Sequence, residues 1–131
     1  MNEILQRNHD FLQRCRQEYA QLSAGGKCPG MKEVIDRVLA GGAPAYYVEF
    51  GYARRVVADL FRRGVLDRCH DGTRGWSRRD MMIEIGFKCK HLVDAGGCSL
   101  TDALTRVLTS SAASSFFMTR SYARQLYYTL I

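Results

Sequence analysis

The chain has 131 residues, 47% of them apolar, and a formal charge of +6. That is enough for one hydrophobic core and too balanced for a disordered chain, and no apolar run approaches the roughly 18 residues of a membrane span. Five scattered cysteines, an odd number, argue against a secreted disulfide framework, and Met1 to Arg7 carries no apolar core of signal-peptide length; a cytoplasmic protein with reduced thiols is expected.

In chain order, every periodic signal is helical. From Asn2 to Leu22 the apolar positions Ile4, Leu5, Phe11, Leu12, Cys15, Tyr19 and Leu22 keep to one broad helical face, and Gly25-Gly26 stops it. Met31, Val34, Ile35, Val38 and Leu39 form a second, shorter stripe, ended by Gly41-Gly42-Ala43-Pro44. The aromatic segment Tyr46-Tyr47-Val48 follows, with the bulk of a core plug. A third helix carries Ala53, Val56, Val57, Leu60 and Phe61 on its apolar side and closes at Gly64. Asp71 to Gly75 reads as a turn-rich linker.

The second half repeats the order. Met81, Met82, Ile85, Cys89, Leu92 and Val93 lie along a helix that Gly96-Gly97 stops. Ser99-Leu100-Thr101-Asp102 has the form of a capping box before the stripe Leu100, Ala103, Leu104, Val107 and Leu108. Ser110 to Ser114 separates it from Phe116-Phe117-Met118, and Ala123, Leu126, Tyr127, Leu130 and Ile131 mark a last helix. The match is close in residues as well as in order. Ala45-Tyr46-Tyr47-Val48, Tyr52-Ala53-Arg54 and Leu60 align with Ser115-Phe116-Phe117-Met118, Tyr122-Ala123-Arg124 and Leu130 at a constant offset of 70. Arg37-Val38-Leu39 aligns with Arg106-Val107-Leu108 at 69. The expected fold is all-α: two tandem helical repeats, residues 1–64 and 78–131, joined by a basic turn-rich linker at 65–77, sharing one core.

The charge is concentrated. Residues Arg54 to Arg79 hold eight arginines (54, 55, 62, 63, 68, 74, 78 and 79) against three aspartates, a net of +5 in 26 residues. Such a cluster favours an anionic partner. Residues 31–63, and less fully 100–131, resemble a helix-turn-helix unit. Arg54 and Arg55 would stand early on its recognition helix and Arg62 and Arg63 near its end, within reach of phosphates. Arginine suits both positions, because its planar fork meets guanine edges or phosphate oxygens in two parallel bonds. The first reading of function is therefore a nucleic-acid-binding protein meeting double-stranded DNA through Arg54, Arg55, Arg62, Arg63, Arg74, Arg78, Arg79 and Arg124. The alternative is a helical interaction module whose basic patch docks an acidic protein, with the second repeat as a candidate dimerisation half.

Other chemistry finds little footing. Cys69-His70, Cys89, His91 and Cys98 offer metal-ligand types, but no Cys-x-x-Cys or His-x-x-x-His spacing, so no metal or cofactor is expected. No phosphate loop, nucleophile elbow or His-Glu-x-x-His sequence supports an enzyme. Trp76, the only tryptophan, is expected to cover the seam between the repeats, with stacking on a base as the alternative.

Overall fold

Caps and glycines cut the chain into helices. The computed structural model describes residues 3–26, 28–68 and 76–130. Over these run α1 (Glu3–Ser23), α2 (Met31–Ala40), α3 (Phe50–Arg63), α4 (Val65–Arg68), α5 (Arg78–Gly96), α6 (Leu100–Ser110) and α7 (Arg120–Tyr127), followed by a 3₁₀ turn at Tyr128–Leu130. Among the described residues there is no β-strand, and none of the helices is long and apolar enough to cross a membrane.

The helix starts are set by side chains that accept otherwise unpaired backbone N–H groups. The Glu49 carboxylate accepts from Gly51 at 2.8 Å and Tyr52 at 3.1 Å. Thr119, at the corresponding place 70 residues on, accepts from Tyr122 at 3.1 Å. A reciprocal capping box forms at Ser77 and Asp80. At Ser99 only half of the expected box is present: its hydroxyl accepts from the Asp102 N–H at 3.1 Å, and the Asp102 carboxylate is not returned to Ser99. Gly64 ends α3 in the left-handed conformation, with φ of 65°, where a residue without Cβ is unstrained. The stretch expected to begin the linker opens instead with α4, because Leu66 is apolar and buries itself against Gly86 of α5.

The apolar stripes close one continuous core, and their centres are fully buried: Phe11 and Cys15 on α1, Val34 on α2, Ala53 and Val57 on α3, Ile85 and Cys89 on α5, Ala103 and Leu104 on α6, and Ala123 on α7. Both aromatic segments are buried as plugs. Phe116 meets Phe11 edge-on at 5.6 Å and lies parallel to Tyr47 at 6.3 Å.

The neighbours of each helix depart from the helix-turn-helix expectation. Helix α2 packs on α1 and α7, whereas α3 packs on α5 and α6. Helices α2 and α3, consecutive in the chain, are not packing partners of any extent. The cause is the aromatic plug between them: burying Tyr46, Tyr47 and Val48 takes the chain through the core and delivers α3 to the other side. Residues 111–119 make the same passage and deliver α7 to α1 and α2. The two crossovers meet where Ala43 and Ala113 exchange N–H···O bonds, 3.0 Å in each direction.

Further polar contacts fasten the crossovers. Glu84 on α5 accepts from the Tyr46 hydroxyl at 2.5 Å and from the Ser114 N–H at 3.0 Å, and is also bonded to the Ser114 hydroxyl. Lys88 donates to the Ala112 carbonyl at 2.9 Å and lies 4.9 Å from the Tyr46 ring centre. Burial and Glu84 together push the Tyr46 hydroxyl far above its ordinary range, so it remains a donor. On the other side Tyr47 donates to Asp10 at 2.6 Å. Arg120 of α7 pairs with Asp36 of α2 at 3.0 Å.

Candidate nucleic-acid interface

The expected basic residues divide into three groups. Arg55, Arg78 and Arg79 gather where α3 faces the start of α5. The Arg78 guanidinium lies 4.8 Å from the Tyr52 ring centre and that of Arg55 5.9 Å from it. Arg79 shares with Tyr52, Val56 and Arg78 the wall of a shallow depression of about 200 Å³. All three arginines are exposed. A cation held over a tyrosine face is oriented by the ring while its N–H edges remain available to an anion.

Arg62 and Arg63 occupy the C-terminal end of α3, as expected, but they share the carboxylate of Asp59, which bonds Arg62 and lies 3.6 Å from Arg63. Surface pairs of this kind contribute roughly 0–1 kcal/mol each. They halve the charge that the two arginines offer a phosphate.

Arg54 and Arg124 go elsewhere. Arg54 donates to the Thr101 hydroxyl on α6 at 3.0 Å, on the flank of α3 opposite Tyr52. Arg124 is exposed on α7, in the helix group of α1 and α2. The identical Tyr-Ala-Arg triplets therefore do not bring their arginines together. Each helix goes to its own side, and the named arginines among the described residues are divided between the two sides. Arg74, with Cys69 and His70, lies outside them. Among the described residues no three His, Cys, Asp or Glu side chains group together.

One relationship escaped the sequence reading. Arg7 near the start of α1 stands 5.2 Å from the Tyr122 ring centre, as Arg78 near the start of α5 stands over Tyr52. The two tyrosines are 70 residues apart and the two arginines 71. Asn8 fixes the first pair, donating to the Tyr122 hydroxyl at 3.0 Å and accepting from Arg7 at 3.3 Å.

Between these features lies a cleft of about 390 Å³, formed by the starts of α1, α5 and α7 with the second aromatic segment as its floor. Ile4, Arg7, Trp76, Arg78, Phe117 and Tyr122 are among its walls. Trp76 borders the seam as expected, but it does not seal it: 41% of its surface stays exposed. Phe117 is held at a φ of 53°, a left-handed conformation unfavourable for a bulky residue, with its N–H donating to the Ser115 hydroxyl at 2.9 Å.

Below the cleft Asp10 accepts from Tyr47 and from Gln6 at 2.9 Å, with His9 beside it at 3.3 Å. Burial raises the Asp10 carboxyl, but the hydrogen bonds from Tyr47, His9 and Gln6 outweigh it and hold the group below its ordinary value. Burial and Asp10 push Tyr47 the other way. Burial, with Glu18 nearby, pushes the Cys15 thiol up to about 12, and burial pushes Cys89 up to about 11, which disfavours the thiolate form.

Comparison of the chain with protein families, curated proteins and solved structures gives no match.

Proposed function

We propose that this chain is a duplicated helical unit with exchanged helices, and that the edge where α3 meets the start of α5 binds the phosphate backbone of nucleic acid. The single observation that carries the reading is the cluster of exposed Arg55, Arg78 and Arg79 around Tyr52, with Trp76 adjoining in sequence. Ring-oriented guanidiniums beside an exposed tryptophan combine charge for phosphates with a flat surface for bases.

Duplex DNA is the first substrate to test. Retention should weaken steeply with salt, because each neutralised phosphate releases condensed counterion. Replacing Arg55, Arg78 and Arg79 with alanine should weaken retention of all sequences and flatten the salt slope by roughly one unit per lost contact. Arg62→Ala with Arg63→Ala should have a smaller effect, since Asp59 already offsets part of their charge. Absence of salt-sensitive retention of DNA or RNA by the wild-type protein would discard the reading.

A second reading, docking of an acidic protein, is favoured by the dispersal of the arginines. Arg54 engages Thr101, Arg62 and Arg63 engage Asp59, and Arg124 stands on α7. Paired and separated cations suit discrete carboxylates better than an even row of phosphates. Capture of an acidic partner that survives the removal of nucleic acid by nuclease would select it.

A further inference from the structure

We infer that the 390 Å³ cleft at the starts of α1, α5 and α7 receives one unstacked base of a nucleic-acid strand, with the adjoining phosphate taken by Arg7 and Arg78. The inference rests on the nucleic-acid reading above and makes it more specific: the strand recognised has at least one base free of its stack.

Four observations converge on this cleft. Its volume falls in the range of about 300–1,000 Å³ usual for sites that enclose a small ligand group, and its walls are mainly apolar and aromatic with a few polar groups at the rim. Its charge has one sign: Arg7 and Arg78 line it, and none of the described lining residues is acidic. Trp76 leaves 41% of its surface open at the rim. Phe117, in the floor, is the one described non-glycine residue with positive φ. Its counterpart Tyr47 carries no such strain, so the repeat itself does not demand it. A strained aromatic maintained by a dedicated hydrogen bond, in the wall of a cleft, is a feature that ligand sites retain.

The cleft is also placed to serve a strand. Arg78 lines it and at the same time belongs to the depression beside Tyr52 and Arg79. A backbone following Arg55, Arg79 and Arg78 therefore arrives at the cleft mouth. There a base that leaves the stack finds the exposed Trp76 in exchange, a substitution that works with any base because every base has a π-face.

The test uses the full chain and three ligands: a labelled short oligothymidylate, a labelled blunt duplex and free thymidine monophosphate. Trp76 is the chain's only tryptophan, so its emission reports on the cleft directly. Oligothymidylate is expected to quench it to saturation. Trp76→Ala is expected to weaken oligothymidylate binding roughly tenfold, as measured by anisotropy, while Trp76→Phe retains most of the affinity and Arg7→Ala weakens it. The exposed position of Trp76 keeps the fold out of the comparison, and an unchanged thermal midpoint verifies this. If duplex and oligothymidylate both bind with salt dependence, but Trp76 emission and the Trp76→Ala variant are indifferent to either, the cleft inference is overturned and the phosphate-binding surface stands. If no strand binds, the surface reading itself has failed. Quenching by thymidine monophosphate without any strand binding would overturn the strand as occupant and leave a site for a free nucleotide.

Discussion

The guanidinium of Arg78 stands 4.8 Å from the centre of the Tyr52 ring, and both residues line the same shallow depression of the surface. The pair joins α3 to the start of α5. It gives the arginine a fixed direction where a free side chain would sample many. Tyr52→Ala should release Arg78 and cost about 0.5–1 kcal/mol of stability from the lost cation–π contact, with nucleic-acid retention reduced although no charge has changed. Tyr52→Phe should restore both. Denaturation midpoints and salt-dependent retention, measured side by side for the two variants, check this. Equal loss in both variants would assign the effect to the hydroxyl instead.

Phe116 is 1% exposed and touches the rings of Phe11 and Tyr47, so it joins α1 to both aromatic segments. Phe116→Ala should cost roughly 3–5 kcal/mol, the combined loss of transfer energy and the cavity left behind. Phe116→Leu should recover much of that. Urea titration of the two variants checks the ordering.

Gly42 lies at the crossover, and a Cβ built there would come within 2.9 Å of the Ala113 carbonyl oxygen. That oxygen is backbone and accepts the Ala43 N–H, so it cannot yield without loosening the Ala43–Ala113 pair. Gly42→Ala should therefore destabilise by about 1–3 kcal/mol. At the corresponding position of the second crossover, alanine is already present as Ala112. The converse substitution Ala112→Gly should have a smaller effect, and thermal midpoints of the two compare them.

Asp10 supplies a pH signature. Its carboxyl is held below the ordinary 3.8 in the folded protein. A group depressed in this way adds stability that is complete above the unfolded value and is lost as pH falls through the lowered folded value. Asp10→Asn should be less stable than wild type at neutral pH, and the gap should narrow as pH falls below 3.8. Midpoints measured from neutral pH to below 3.8 test the sign. A gap that widens with acid would show that the Tyr47 hydroxyl does not rely on the Asp10 charge.

Much of the helical layout is readable from residues alone. Ala53 and Ala123, picked out by their shared triplet, are both fully buried. The Ser99 hydroxyl starts α6, and the aromatic segments plug the core. These features depend on local pattern: a stripe identifies a buried face, and a serine before an apolar run identifies a helix start. A stripe does not say which helix will cover it. The apolar side of α3 reads equally well packed on α2 or on α5 and α6, so the exchange was invisible, and with it the separation of Arg54 from Arg124. The Arg7–Tyr122 stack joins opposite ends of the chain and has no periodic signature. Trp76 misled for a related reason: size argues for burial, but just before the Ser77 cap of α5 it sits at the rim of the cleft with 41% of its surface exposed.

The packing of α7 on α1 and α2 also sets an order of events during synthesis. Helices α1 and α2 leave the ribosome early, yet the helix that completes their apolar faces is α7, made near the other end of the chain. Until α7 emerges, the sides of α1 and α2 that it covers stay wet, whereas α3, α5 and α6 follow one another in the chain and can pack as soon as α6 is made. The group of α1 and α2 therefore waits for a distant segment, and folding is completed only when α7 meets it. This all-helical protein should fold more slowly than bundles in which neighbours in sequence are neighbours in space.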